Sequence, residues 1–269
     1  MEPLPYEELP LGPLDPLRVE ALWRYSPEEP RQQVVLPDGR MDLVAHAAVA
    51  PGGHLGAVWL AVAGPADRPS TVATRGPLYS LGIRFHLGWG GTCLGLVPGA
   101  LVNRVITGRE AAQLLGPLAA PVLAARHADA LQAALTTVAG TLAHRAPPPG
   151  PAHARALQAL RWLRQHPGGP LEPLCATLGV NARTLRRDVL AAVGLPLRTL
   201  AGILRFQQAM ALHRTGRVAS LTALALSAGY ADQAHMTRHF RRLGGFTPAL
   251  PAAVPLVEAC RDPGAGPGD

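Results

Sequence analysis

The stretch from Gly229 to Pro248 concentrates side chains whose chemistry suits a polyanion. Three arginines and two histidines in it are interleaved with Tyr230, Met236 and Phe240. Guanidinium groups bind phosphate oxygens and the edges of guanine, whereas the apolar side chains require burial. A helix that buries its apolar positions and exposes its basic ones would meet both requirements. The spacing therefore predicts a helix that binds DNA.

The charge is divided unequally along the chain. Residues 1–150 hold 11 arginines and 12 acidic residues, whereas residues 151–269 hold 14 arginines and 6 acidic residues. A net-basic half favours a polyanionic partner. All 25 basic residues of the Lys+Arg class are arginine, which is typical of a GC-rich bacterial genome. A single arginine is therefore a weak sign of function, and an ordinary solvated surface is the alternative for each one.

A proline-rich stretch marks a boundary between the halves. Residues 145–154 read RAPPPGPAHA, and proline cannot continue a helix because it lacks an N–H donor and clashes with the preceding turn. We expect a β-rich domain with C-terminal helices at 1–145, a linker at 146–152, a DNA-binding domain at 153–250 and a flexible tail at 251–269. The fold class expected is α+β, with two domains.

Apolar spacing and capping residues predict that the basic half is helical. The predicted helices cover residues 153–166, 170–179, 181–194 and 197–214, then one capped by Ser220 and one running from Asp232 to about Leu243. Asn181, Ser220 and Asp232 are residue types that accept hydrogen bonds from the first turn of a helix. Glycines follow several of the helices and favour their termination.

One pattern occurs twice in this half, roughly 50 residues apart. Its members are a small residue, a glycine, a cap, an apolar residue and an arginine: Cys175, Gly179, Asn181, Leu185 and Arg187, then Ala225, Gly229, Asp232, Met236 and Arg238. The small residue allows two helices to cross closely, and the glycine adopts the left-handed backbone of a turn. The pattern predicts two helix–turn–helix units whose second helices enter major grooves.

We expect the early positions of each second helix to face base edges and the later arginines to contact phosphates. The predicted DNA-binding residues are Asn181, Arg183, Thr184, Arg186, Arg187, Gln233, Ala234, His235, Thr237, Arg238, Arg241 and Arg242. Asp188 lies in the first of these helices, where a carboxylate would repel phosphate. The sequence thus predicts that the first unit binds DNA more weakly than the second.

Residues 153–250 resemble the DNA-binding domain of AraC/XylS-type transcriptional regulators. The family's signature after the second turn is filled by Gly229, Tyr230, Asp232, Met236, Arg238, Phe240, Arg241, Gly245, Thr247 and Pro248, and Arg183, Leu185, Arg187, Arg205 and Ala209 match earlier positions. The resemblance implies two helix–turn–helix units joined by a long helix. Val189 replaces a frequent phenylalanine, which suggests a looser first unit. Leu250 and Pro251 replace the usual aromatic residue, which should shorten or redirect the last helix.

The first half predicts an antiparallel β barrel or sandwich. Two apolar runs flank Pro37–Gly39, a turn signal, and Met41, Leu43 and Ala45 alternate with Asp42, Val44 and His46. Residues 54–64 and 80–89 predict further strands. With its LPDG turn and GIRF segment, this half resembles a cupin-like domain of unknown function that precedes AraC-type DNA-binding domains. The resemblance names no ligand.

Three histidines and a cysteine in this half raise the question of metal or redox chemistry. His46, His54 and His86 lie on separate segments without an H-x-H pattern, so structural roles are the alternative to a metal site. Cys93 could sense oxidants, or be an inert small hydrophobe. No grouping of catalytic residues is found, and we expect neither an enzyme nor a cofactor. Cys175 corresponds to Ala225 and is expected to serve packing.

Leu131, Leu135, Val138 and Leu142 recur at spacings of four, three and four, as in a coiled-coil seam. They predict either a homodimer interface or a helix packed on the β domain. The N-terminal stretch predicts no signal peptide, and no run approaches a membrane span, so a cytoplasmic protein is expected.

The sequence as a whole favours a one-component transcriptional regulator. Its expected partners are double-stranded DNA, a small-molecule effector and RNA polymerase. Two rival interpretations stay open: a cupin-type metalloenzyme that carries the same DNA-binding module, and a DNA-architectural protein without an effector.

Overall fold

The computed structural model describes residues 6–30, 32–50, 52–166, 168–216, 218–249 and 256–257. The first part of the chain forms the strands β1 Tyr6–Leu9, β2 Val19–Tyr25, β3 Gln32–Val35, β4 Met41–Val49, β5 Leu55–Ala63, β6 Ser70–Ala73, β7 Leu78–Phe85 and β8 Val105–Thr107. A ninth strand, β9 Leu256–Val257, comes from the tail. The rest of the predicted flexible tail, which begins at Pro251, lies outside the described residues, as does Leu250 before it.

Six strands form an antiparallel sheet in the order β1-β2-β7-β4-β5-β8. The predicted alternation in β4 is confirmed, because Met41, Leu43 and Ala45 join the apolar core on one face of the sheet. Asp42 and His46 point to the other face and line a cavity. The period of two therefore separates an apolar face from a polar one.

Helices cover the apolar face of this sheet. They are α1 Gly90–Leu94, α2 Gly108–Leu115, α3 Ala119–Ala124 and α4 Ala128–Arg145, with short 3-10 turns at Pro98–Leu101 and Gly116–Leu118. Leu131, Leu135 and Val138 of α4 are almost wholly buried in the core shared with the sheet. These residues of α4 thus pack on the β domain, which is one of the two predicted alternatives. A homodimer interface formed by them would require their removal from that core.

A smaller sheet faces the polar side of the large one. Strand β3 pairs with β6 in antiparallel fashion and with β9 in parallel. The turn between β3 and β4 carries the chain from one sheet to the other, so the strands that flank this predicted turn do not pair with each other. Gly39 has a φ of 72° in this turn, a backbone conformation that favours glycine.

The basic half is helical, as predicted. Its helices are α5 Pro151–Gln165, α6 Glu172–Leu178, α7 Ala182–Val193, α8 Leu197–Arg214, α9 Leu221–Ser227 and α10 Gln233–Gly244. Helix α5 begins two residues earlier than expected and includes the last residues of the predicted linker, since proline is well tolerated in the first turn of a helix. Among the described residues no single helix is long and apolar enough to cross a membrane. Helices α7 and α8 are long and apolar enough only when taken together, and they are bent by 67° relative to each other.

The two halves are in direct contact. Leu36 and Leu87 of the β-rich half are buried in the core of the helical half. The backbones of Gly99 and Gly194 approach so closely that a Cβ on Gly194 would lie 2.6 Å from the Gly99 nitrogen. His153 of α5 donates a hydrogen bond from Nε2 to the carbonyl oxygen of Gly88, at 2.8 Å.

Candidate functional site

The second helix–turn–helix unit consists of α9, a tight turn and α10. Gly229 in the turn has a φ of 76°, which confirms the predicted left-handed backbone. Oδ1 of Asp232 accepts a hydrogen bond from the backbone nitrogen of His235 at 2.6 Å, and Ser220 caps α9 through the nitrogen of Ala223 at 3.1 Å. These caps satisfy donors that the first helical turn leaves free and fix where each helix begins.

Apolar residues hold α10 to its bundle. Met236 and Phe240 are wholly buried and Tyr230 is 3% exposed. The ring of Phe240 meets that of Phe206 edge to face, with centroids 4.9 Å apart. Burying each large apolar side chain stabilises the fold by about 1.5–3 kcal/mol, so this face of α10 is committed to the bundle.

The other face of α10 carries the residues predicted to touch DNA. The exposed ones are Gln233, Ala234, Arg238, Arg241 and Arg242, whereas His235 and Thr237 are half-buried. Thr222 of α9 donates from its hydroxyl to Oε1 of Gln233 at 3.1 Å, which orients that amide at the start of α10. The hydroxyl of Thr237 donates back to the carbonyl oxygen of Gln233 at 2.9 Å and is therefore already occupied.

His235 is partly engaged in packing as well. Its ring meets those of Tyr230 and His239 edge to face, at centroid distances of 5.2 and 4.8 Å. Burial and the nearby Arg205 and Arg238 lower the pKa of His235. Burial also lowers the pKa of His239 to about 4, with Arg242 and His235 acting in the same direction. The ring of His239 is therefore neutral near pH 7, and the charged form of His235 is disfavoured.

The first unit has the same construction around α6 and α7. Gly179 has a φ of 62°, and Oδ1 of Asn181 accepts from the nitrogen of Thr184 at 2.8 Å. Arg183, Arg186 and Arg187 are exposed on α7, whereas Thr184 is half-buried. The side-chain oxygen of Asn181 is occupied as a cap, so only its amide nitrogen remains for another partner.

Asp188 does not face the surface with these arginines, and the expected repulsion of phosphate is wrong. It is 4% exposed and accepts hydrogen bonds from Arg155 of α5, with the two closest nitrogens 2.8 and 2.7 Å away. The carboxylate therefore joins α5 to α7 from the inside. Since α7 exposes no acidic side chain, the predicted weakness of the first unit loses its basis.

Two arginines of α8 extend the basic surface between the units. Arg198 and Arg205 lie seven positions apart, which places them on the same side of a helix, and with Arg186 and Arg187 they line one open groove. The guanidinium of Arg205 lies over the ring of Tyr230, 5.6 Å from its centroid. The predicted set of DNA-binding residues omitted both arginines, although their spacing along the helix could have indicated them.

The other candidate site is a cavity of about 410 Å³ between the two sheets. Its polar lining includes Gln33, Asp42, His46 and Arg84, and Trp23 is among its aromatic residues. A volume of this order is typical of small-molecule sites. Burial lowers the pKa of His46 to about 4, so the imidazole is neutral near pH 7.

Comparison with known proteins bears on both sites. A family described as a helix-turn-helix domain matches residues 174–250, which include α7 and α10, the second helices of the two units. The C-terminal domain is an AraC-type helix-turn-helix domain. A second family, the domain of unknown function DUF6597, matches residues 7–107, which include β2 to β8 and, with the exception of Tyr6, all of β1 and of the cavity lining. The helix-turn-helix match confirms the resemblance of the C-terminal residues to the AraC-type DNA-binding domain.

Structures of ToxT from Vibrio cholerae are distantly similar to the chain. One at 1.65 Å resolution is 11% identical, covers 91% of this chain and 96% of its own, and gives a TM-score of 0.43. Another, bound to an unsaturated fatty acid, is 10% identical, covers 84% and 91%, and gives 0.41. No curated protein sequence matches the chain. At this level of identity and superposition, the likeness bears on neither the ligand nor the DNA site.

The histidines of the DUF6597 domain lie apart. Nδ1 of His46 and the hydroxyl oxygen of Ser80 are 2.8 Å apart, and Nε2 of His86 donates to a backbone carbonyl at 3.1 Å. The ring of His54 lies 4.9 Å from that of His127. Within the part of the chain that the structure describes, no three His, Cys, Asp or Glu side chains are grouped so as to hold a metal ion. The metalloenzyme interpretation therefore finds no metal centre among these residues.

Both described cysteines are buried. Burial raises the pKa of Cys93 to about 11, so its reactive thiolate is scarce near pH 7. Cys175 lies in the core of the AraC-type domain, in the place that Ala225 occupies in the second unit. The packing role is the better account of both residues.

Proposed function

We propose that the chain is a sequence-specific transcriptional regulator whose two helix–turn–helix units read adjacent major-groove segments of one DNA site. In this proposal Arg183, Arg186 and Gln233 face base edges, while Arg241 and Arg242 bind phosphates. Arg198 and Arg205 contact the DNA backbone between the two segments. The other predicted DNA-binding residues lie on α7 and α10 or at the N-cap of α7. They are Asn181, Thr184, Arg187, Ala234, His235, Thr237 and Arg238.

The observation that carries the proposal is the duplication of one capped unit on a basic surface. Each copy has a glycine with positive φ, a side-chain cap and a second helix that exposes arginines. An isolated helical hairpin occurs in many proteins, whereas two copies joined by α8 with arginines between them suit a continuous polyanion. The match to an AraC-type domain supports the same function.

We further propose that the DUF6597 domain senses a small molecule and acts on the DNA-binding domain through the turn Leu36–Arg40. Asp38 and Arg40 of this turn line the cavity. Leu36 is buried in the helical core, and a Cβ on Gly39 would lie 2.9 Å from Cδ1 of Leu200 in α8. A ligand that moves the turn would therefore move the helix that joins the two units.

Selection of bound sequences from random DNA by the full-length chain tests this function. We expect enrichment of a motif with two short conserved segments, each long enough for one recognition helix. A DNA-architectural protein would retain DNA without enriching a motif, and that outcome would contradict sequence-specific regulation. Repeating the selection at raised salt removes nonspecific binding, which depends most steeply on salt.

A further inference from the structure

The cavity of the DUF6597 domain contains polar atoms that the protein leaves without a hydrogen bond. Gln33 is 5% exposed, and its buried Oε1 has no partner. Oδ1 of Asp42 is buried and forms no hydrogen bond, although it lies within ion-pair distance of Arg84, with Nε 3.4 Å away. The indole Nε1 of Trp23 is buried without a hydrogen bond as well. A buried polar group without a hydrogen bond destabilises a protein, so several of them in one cavity favour a ligand or a water molecule that supplies the missing partners. Two of these three atoms are acceptors.

The side chains that approach the buried guanidinium of Arg84 are mainly acidic, which favours a positively charged hydrogen-bond donor at that end of the cavity. Three carboxylates approach the guanidinium of Arg84, with distances of 3.4 Å for Asp42, 3.8 Å for Asp38 and 3.9 Å for Glu8. Arg40 forms its own bidentate pair with Glu20. Burial raises the pKa of Asp42 to about 6, and although Arg84 lowers it, Asp38 raises it further. His46 adds no charge, because its pKa is about 4.

The rest of the lining suits an apolar body. Trp23 lies against Gly82 of the neighbouring strand, where an added Cβ would be 2.1 Å from the ring, and it stacks on Tyr6 with centroids 5.9 Å apart. Val35 and Leu78 also line the cavity. Aromatic rings attract cations through their faces. Arg68 and Arg104 lie exposed at the rim, so an organic anion is the rival ligand class.

We propose that this cavity binds a small organic ammonium ion, whose N–H groups donate to Gln33 and Asp42 and whose apolar body packs against Trp23. The inference names the ligand class of the sensing domain and rests in that respect on the proposed function. An ammonium ion supplies only donors, which matches the two acceptor atoms, of Gln33 and Asp42, that form no hydrogen bond within the protein. Its charge also compensates the carboxylates that share Arg84.

Calorimetric titration of the full-length protein with three probes of similar size tests the proposal. The probes are 2-phenylethylamine, 2-phenylethanol and phenylacetate, which are cationic, neutral and anionic near pH 7. We expect the amine to bind at least about tenfold more tightly than the other two, the effect of one charge-assisted contact. Equal or tighter binding of the alcohol or of phenylacetate would overturn the proposal, as would the absence of binding by the amine.

Substitutions in the cavity test whether 2-phenylethylamine binds at Gln33 and Asp42. Asp42→Asn and Gln33→Leu should each weaken it by about tenfold, and two substitutions keep the test valid if one of them impairs folding. Glu7→Gln is the matched control, because Glu7 pairs with Arg24 away from the cavity and should leave affinity unchanged. Wild-type affinity in both cavity variants would overturn the assignment. The titrations contain no DNA, so the two proposals can fail separately. Amine binding without an enriched DNA motif would refute the regulatory function alone. An enriched DNA motif without amine binding would refute the ligand class alone.

Discussion

Replacement of Gly229 by valine tests the turn that sets α10 against α9. Gly229 has a φ of 76°, and the left-handed region costs an ordinary residue about 1–2 kcal/mol. A Cβ there would lie 3.4 Å from the nitrogen of Gly168, which is ordinary van der Waals contact, so the cost comes from the backbone conformation rather than from crowding. Valine adds branching at Cβ, so we expect Gly229→Val to lower the free energy of unfolding by about 1–3 kcal/mol.

The assay is chemical denaturation followed by circular dichroism, with Gly76→Val as the control. Gly76 lies in the bend between β6 and β7, is absent from the positive-φ glycines and has no atom within 4 Å of an added Cβ, so the same substitution there should cost about 0.5 kcal/mol or less. The comparison isolates backbone strain from the general effect of valine. If both variants unfold at the same denaturant concentration, the turn does not depend on glycine in the way argued.

Three further outcomes follow from charge and burial. DNA affinity should fall roughly a thousandfold or more between about 50 and 200 mM salt if six or more arginines meet phosphates, and a salt-independent binding constant would contradict the basic interface. Asp188→Ala should lower the unfolding free energy by about 1–3 kcal/mol, because it leaves Arg155 without its buried partner, and a double-mutant cycle with Arg155→Ala should show non-additive losses. His239 has its pKa lowered from 6.5 to about 4, so the unfolded chain binds more protons and stability should fall as pH decreases from about 6.5 to 4. His239→Gln should make that decline shallower in denaturation curves measured across this range, and an unchanged pH dependence would count against the lowered pKa.

Local signals predicted the helical half well. Asn181, Ser220 and Asp232 each cap the helix that follows, as their residue types and positions indicated. Positive φ at Gly179 and Gly229 was also predictable, because a glycine between a small residue and a cap is typical of a tight helical turn. Such features depend on residues a few positions apart, which a single sequence displays directly.

Features that depend on distant residues could not be predicted in this way. Asp188 looks like an exposed acid in sequence, and only its approach to Arg155, 33 positions earlier on another helix, shows that it is buried and paired. The turn at Pro37–Gly39 was recognisable, but not that it connects two sheets and touches α8. The cavity likewise draws its polar lining from β1, β2, β3, β4 and β7, and no local pattern brings these strands together.

The central claim, that α7 and α10 read bases while the later arginines hold phosphates, is tested most directly by selecting binding sites with three variants beside the wild type. Arg186→Ala and Gln233→Ala should each relax preference at particular bases in different halves of the selected motif, at a cost of roughly 1–3 kcal/mol for the preferred sequence. Arg241→Ala should weaken binding to all sequences about equally and leave the motif unchanged. A motif altered by Arg241→Ala but unaffected by Arg186→Ala and Gln233→Ala would contradict this arrangement of the two helices on DNA.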